Sequence, residues 1–371
     1  MIPVCEPLLA GHEQKYVLDC LKTNWISSGG PYLTKFEEGF SRYCGVKHGI
    51  GVCNGTTALH LAYAALGIGP GDEVIMPTLT IASTVFAALY CGAKPVFVDV
   101  QPDTWNMDPA LLEAKITQRT RAIVPVHMYG HPCDMDAILR VVARKHRIAV
   151  IEDAAQAHGA QYKGRRTGSF GTLSCFSFYS NKIITCGEGG MVLTDDDKLA
   201  DKCRSLKNLS FLKERRFFHK DIGFNYRMTN VQAAIGLAQL EQIDDMIVRR
   251  RRNARSYNEL LSGIGGLVLP TERPDVRNVY WMYGVVVDKS FGVSRDVLMK
   301  KLLEKGIETR TFFIPMHDQP VLKKAGCADR RKYPVSERLG RCGFYLPSGS
   351  GLSQGQVEYI AGCIKNIRSC G

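Results

Sequence analysis

What this sequence lacks narrows its class before any motif is read. No apolar run approaches the length of a membrane span, so no membrane partner is expected. The opening Met1-Ile2-Pro3-Val4-Cys5-Glu6-Pro7 lacks the basic-then-apolar layout of a signal peptide. Thirteen cysteines, an odd number, include no C-x-x-C pair. That pattern argues for reduced, mostly buried thiols in a cytoplasmic protein and against a disulfide frame or zinc site. No internal repeat, low-complexity tract, zinc finger, homeodomain or RNA-recognition pattern accompanies the net charge of +12, so no nucleic-acid partner is expected. The basic residues are spread out except for Arg249-Arg250-Arg251-Arg252, inside a helical pattern from about Asn230 to Leu261. That run reads as a solvated helix face or subunit contact. The surplus of positive charge would instead draw in a phosphorylated cofactor and an anionic substrate.

What is present is a 371-residue globular composition, 45% hydrophobic and 23% charged, with room for a large core and two domains. From Gly49 to about Thr194, short β-rich apolar runs alternate with helical ones. Glu73 to Met76, Lys94 to Asp99, Ala122 to Pro125 and Ala149 to Glu152 read as strands. The helical stretches end at Leu66 or cover Thr80 to Cys91, Pro109 to Ile116 and Met135 to Lys145. This alternation predicts an α/β fold with a mostly parallel central sheet and ligands at the carboxyl ends of its strands. After Leu261, a glycine- and proline-rich link leads into a smaller α+β unit. Its strands are expected near Tyr280 to Val287 and Glu308 to Phe313, and its helices over Ser294 to Lys305 and Ser353 to Ile367. The expected division is residues 1–245 as a large domain with its N-terminal segment, then 246–371 as helical connector and small domain.

The chemistry centres on Ser177-Phe178-Tyr179-Ser180-Asn181-Lys182 and the turn through Gly187-Glu188-Gly189-Gly190. A lysine between an apolar strand and a glycine turn can be desolvated towards its neutral, nucleophilic form, which suits Schiff-base chemistry with a carbonyl such as the aldehyde of pyridoxal phosphate (PLP). The same stretch also reads as an ordinary strand-end lysine. Asn54-Gly55-Thr56-Thr57 opens a helix whose free N–H groups and dipole favour an anion, or it is simple capping. Ser177 offers another phosphate donor. Asp153 ends the apolar strand Ile148 to Glu152, where a carboxylate can pair with a protonated pyridine nitrogen, or cap the next turn, or bind a metal. Gln156 is within reach of that ring's phenolic oxygen. His127 and His131 have a zinc-pair spacing, but Gly130 and Pro132 argue against the helix such a pair uses, so no metal site is expected.

In order along the chain, several stretches resemble the DegT/DnrJ/EryC1/StrS sugar aminotransferases. They include Asn24 to Gly29, Gly69 to Val74, Ile151 to Gly159, Ser177 to Gly190, Gly223 to Asn230, Thr309-Arg310 and Pro315-Met316-His317. The resemblance implies the type I fold of PLP-dependent aminotransferases and a homodimer with shared active sites. It implies a nucleotide-activated keto-sugar as substrate, a GDP-4-keto-6-deoxyhexose aminated at C4, with L-glutamate as amino donor. It makes Lys182 the Schiff-base lysine and Asp153 the pyridinium partner. Gln156 would contact the ring oxygen, and Gly55, Thr56 and Ser177 the phosphate. Asn225 would serve the neighbouring subunit's cofactor, and Arg310 and His317 would line the sugar pocket. Where many relatives stack an aromatic residue on the ring, this chain has Ile81. Relatives that dehydrate their sugar have histidine at the lysine position, so Lys182 implies transamination.

Overall fold

The computed structural model describes residues 1–143, 148–212, 214–215, 217–327 and 331–369. Its centre is a seven-stranded sheet drawn from β1 (His48–Val52), β2 (Glu73–Pro77), β3 (Lys94–Val98), β4 (Thr120–Ile123), β5 (Ala149–Asp153), β8 (Leu173–Ser177) and β9 (Gly190–Thr194), in the order β1-β9-β8-β5-β4-β2-β3. From β3 across to β8 the pairs are parallel, and β9 runs antiparallel to both its neighbours. The pleat sends alternate residues of β8 and β9 to opposite faces, and both faces are buried. Phe176 and Met191 enter one buried cluster, with Phe36, Phe40 and Phe178, while Cys175 and Val192 enter the cluster on the opposite face, with Leu59, Tyr63 and Val74.

Helices α1 (Glu13–Thr23), α2 (Pro31–Cys44), α3 (Gly55–Ala65), α4 (Ala82–Tyr90), α5 (Met135–Ala143), α6 (Asp197–Lys207), α7 (Asn230–Leu240) and α8 (Ile243–Leu261) accompany this sheet. Residues 144 and 145, expected to extend α5, lie outside the described residues. Two expectations are corrected. The stretch 109–116 forms two 3₁₀ turns, Pro109–Leu111 and Glu113–Lys115, ended by extended Ile116. The helix expected over Asn230 to Leu261 is broken where Gln242 leaves helical geometry (φ −117°, ψ 6°).

The arginine run on α8 is only in part a solvated face, with Arg249 and Arg252 exposed and Arg250 and Arg251 not. Arg249 pairs with Asp245 one turn earlier, but Arg250 is only 2% exposed. Arg251 binds Glu272 and the Asn278 carbonyl, and Arg252 donates to the Leu352 carbonyl. Arg250 donates to the carbonyls of Trp281 (2.7 Å), Ser348 (3.2 Å) and Lys182 (3.5 Å), tying distant segments together.

A short three-stranded sheet joins β6 (Gln161–Tyr162), β7 (Arg165–Arg166) and β11 (Val276–Arg277). The later part of the chain builds a four-stranded sheet from β10 (Leu267–Val268), β12 (Tyr283–Val287), β13 (Arg310–Thr311) and β14 (Gly343–Leu346). With it come α9 (Arg295–Glu304), α10 (Pro320–Lys324), α11 (Pro334–Cys342) and α12 (Gln354–Ser369). Its own buried cluster includes Tyr257, Tyr283, Phe291, Phe344 and Ile360. The strand expected over Glu308 to Phe313 pairs only at Arg310–Thr311.

The first residues of the chain thread along this second sheet. Ile2 bridges to Ile307, the Val4 N–H donates to a Glu308 carboxylate oxygen (2.9 Å), and the Ser348 N–H donates to the Val4 carbonyl (3.0 Å). The Cys5 thiol lies 3.5 Å from the Asn181 carbonyl, beside Lys182. No helix among the described residues is long and apolar enough to cross a membrane.

Candidate active site

Asp153 and Ser177 are the last residues of the adjacent parallel strands β5 and β8, and Gly55 opens α3 just after β1. The strand ends therefore converge on one cavity of about 470 Å³, a volume suited to a small cofactor with part of its substrate. Gly55, Thr56, Ile81, Asp153, Ser177, Lys182 and Arg310 all line it. So do Tyr179 and Glu188 of the lysine stretch, and residues that sequence reading missed: Ser83, Trp281, Phe313 and Tyr345.

The anion end is built at the start of α3. Asn54 caps the helix by accepting the Thr57 N–H at 2.9 Å, and the Thr57 hydroxyl receives the Asn54 N–H in return. Capping and anion binding are thus compatible, because the cap uses Thr57 and leaves the N–H groups of Gly55 and Thr56 without intrahelical acceptors. A Cβ on Gly55 would sit 2.6 Å from the Ser177 Cβ, so only glycine lets the helix start approach that hydroxyl. The Thr56 hydroxyl donates to Ser83 Oγ at 2.9 Å, which leaves the Ser83 proton available to the cavity.

The acid end lies deeper. Asp153 is 1% exposed, and its carboxylate accepts the Thr84 hydroxyl (2.7 Å) and the Ala155 N–H (3.2 Å). Burial pushes its pKa up, against the opposing pull of those hydrogen bonds and of the Lys182 charge. Gln156 is also buried. Its Oε1 accepts the Tyr129 N–H at 2.8 Å, which leaves the amide NH₂ as the group's donor. Tyr129 presents that N–H from a left-handed conformation (φ 51°).

Lys182 sits in a turn held by its own N–H on the Tyr179 carbonyl (2.9 Å) and by the Trp281 indole N–H on the Asn181 carbonyl (2.7 Å). Its Nζ lies 3.8 Å from the Trp281 ring centroid. Burial lowers its pKa from 10.5 to about 8, with the Asp153 carboxylate opposing. Desolvation therefore outweighs the charge attraction that would keep the amine protonated. At the far wall, Arg310 is held by Glu308 (3.2 Å) and remains largely exposed.

Three expected site residues are not part of the cavity lining: Gln156, buried just behind Ala155, and His317 and Asn225, which stand apart. His317 lines a separate, largely basic hollow of about 670 Å³ with Arg295, Lys323 and Arg341, its Nδ1 2.7 Å from the Thr78 hydroxyl. Asn225 is exposed and outside the cavity, bridged to Asn208. Of the weighed histidines, His127 lies 3.0 Å from Glu152 and accepts the Cys133 N–H, and His131 lies 2.8 Å from the Pro132 carbonyl.

The donor set fits a phosphorylated, cationic pyridine. Helix N–H groups and hydroxyls stand at one end, a buried carboxylate held only by N–H and O–H donors stands at the other, and a partly neutral amine lies within the same cavity.

The chain is similar along its whole length to known proteins. The chain is 48% identical to the GDP-perosamine synthase of Caulobacter vibrioides, over 99% of this chain and 98% of that protein. It is 46% identical to the GDP-perosamine synthase of Escherichia coli over 99% of both. The PLP form of Spr1654 from Streptococcus pneumoniae superposes with a TM-score of 0.93 at 27% identity, covering 100% of this chain and 99% of that one. The α/β architecture is fold type I of the PLP-dependent aminotransferases. Matched over residues 7–365, the chain belongs to the DegT/DnrJ/EryC1/StrS aminotransferase family, whose members are PLP-dependent enzymes.

Proposed function

We propose that this protein binds PLP and transfers the amino group of L-glutamate to the C4 ketone of GDP-4-keto-6-deoxymannose, forming GDP-perosamine. The observation that carries the reading is the Lys182 amine sharing one cavity with the buried Asp153 carboxylate. The nucleotide and sugar are supported by full-length similarity to GDP-perosamine synthases. Residues to about 245 would carry most of the cofactor site, and the remainder would form the smaller domain. The protein would work in the cytoplasm as a homodimer with shared active sites. The exposed Asn225, outside its own chain's cavity, would reach the neighbouring one.

In this reading the N–H groups of Gly55 and Thr56 and the hydroxyls of Ser177 and Ser83 hold the phosphate. Asp153 holds the ring nitrogen, the Gln156 NH₂ the phenolic oxygen, and Ile81 presses on the ring. When bound, PLP supplies an electron sink that stabilises negative charge on the reacting carbon. Lys182 supplies both nucleophile and base. With a pKa near 8, about one amine in ten is uncharged at pH 7, ready to take a proton. Its Nζ would remove the α-proton of the amino donor and later return a proton to the sugar carbon that becomes amine-bearing. Trp281 excludes water from one side of that amine. Arg310, cationic and exposed at the cavity wall, would receive a substrate carboxylate or phosphate.

The test is to supply glutamate and a panel of GDP-, dTDP- and UDP-linked 4-keto-sugars and read the product by mass. Amination of the GDP sugar alone is the expected result. Preference for a dTDP or UDP sugar would replace the substrate assignment, and a deoxygenated product would replace the reaction class. Lys182→Ala should abolish turnover with the fold intact.

A further inference from the structure

The buried acid of the site has an unusual set of partners. Among the described residues, no arginine, lysine or histidine forms an ion pair with Asp153. Its anion is held by neutral donors, and the shortest of them is the Thr84 hydroxyl at 2.7 Å. Thr84 Oγ in turn lies 3.1 Å from the Thr80 hydroxyl, and both threonines are fully buried. A hydroxyl has one proton. Since Thr84 gives its proton to Asp153, it can only accept from Thr80. The order of donation is fixed, Thr80 to Thr84 to Asp153, and each bond polarises the next. The backbone is pinned as well, because the Thr84 carbonyl accepts the Tyr63 hydroxyl at 3.1 Å.

The same turn touches the other end of the site. Ile81, at the N-cap of α4, lines the cavity, and Ser83 receives the Thr56 hydroxyl. One turn of helix therefore sets the spacing between the phosphate end and the ring-nitrogen end.

We infer that Thr84, oriented by Thr80, is a positioning residue that holds Asp153 as an aimed anion for a cationic ring nitrogen, so that cofactor retention depends on its hydroxyl. This rests on the reading of the cavity as a PLP site. Without the hydroxyl, Asp153 keeps the Ala155 N–H but loses its shortest bond, in surroundings that already favour the protonated acid. A protonated acid cannot pair with a pyridinium.

The experiment measures equilibrium binding to cofactor-free protein of PLP and of its 1-deaza analogue, which has carbon in place of the ring nitrogen. Wild type is compared with Thr84→Val, Thr84→Ser and Thr80→Val. The expected result is that Thr84→Val weakens PLP by about tenfold or more, the equivalent of losing a hydrogen bond to a charged group, and leaves the analogue's affinity unchanged. Thr84→Ser should restore PLP binding, and Thr80→Val should fall between. Equal loss for PLP and analogue, or a serine variant as weak as valine, would show a packing role and overturn the inference. Should Thr84→Val fail to fold, Thr80→Val decides alone, since it leaves the Thr84 bond to Asp153 in place but removes its orientation. Unchanged selectivity in that variant refutes the inference. If wild type binds no PLP, the cofactor reading itself fails, which is a different outcome from wild type and variants binding alike.

Discussion

Lys182 differs from the chain's surface lysines by its surroundings, and the difference is measurable. With its pKa near 8, the rate at which cofactor-free protein captures an aldehyde should rise about tenfold per pH unit below 8 and level off above it. Stopped-flow absorbance would show this plateau, and a rate still climbing towards pH 10 would contradict it. The linkage has a definite sign. The folded pKa lies below the 10.5 of an ordinary lysine, so between pH 8 and 10.5 the unfolded chain binds the extra proton. In that window this group's contribution to stability rises with pH. The lysine, the strand-end aspartate and the glycine turn were legible in the sequence because each follows a local pattern. Thr84 and Trp281 were not. Thr84 matters only because it meets Asp153, 69 positions away, and Trp281 because its indole closes on Asn181 from 100 positions away. No local pattern carries such pairings.

At the scale of elements, α8 is a brace. Arg250 has no carboxylate partner among the described residues and serves carbonyl groups instead, including those of Lys182 and Trp281. Arg250→Ala would orphan buried carbonyls on several segments. Urea unfolding should show a loss of about 3 kcal/mol, typical of breaking a buried charged network. Arg249→Gln, one residue earlier, removes only an exposed pair with Asp245 and should cost about 0.5 kcal/mol or less. Comparable losses would mean the run acts as a unit. Strands β2 to β5 of the main sheet were readable as short, largely apolar runs between helical ones, whereas β1 and β9 were not picked out. The break at Gln242 was not, because the helical pattern runs on through it.

For the whole molecule, shared active sites make a prediction that single-chain catalysis does not. A Lys182→Ala subunit retains a working Asn225, and an Asn225→Ala subunit retains a working Lys182. If Asn225 serves the neighbouring site, mixed dimers regain one complete site. Random mixing of equal amounts should then recover about a quarter of wild-type turnover, since half the dimers carry one good site of two. No recovery after verified subunit exchange would mean each chain supplies its own site. The hollow around His317, built on α11 and the loop before α10, belongs to this scale too.

The path of residues 2–5 has a practical corollary. Glu308 grips the Val4 N–H with one oxygen and Arg310 with the other, and Cys5 touches the carbonyl beside Lys182. This lead segment is therefore part of the scaffolding of the Lys182 cavity. Shaving it off, or crowding it with a bulky fusion, would loosen Arg310 and jostle the loop bearing Lys182, while most of the protein stayed folded.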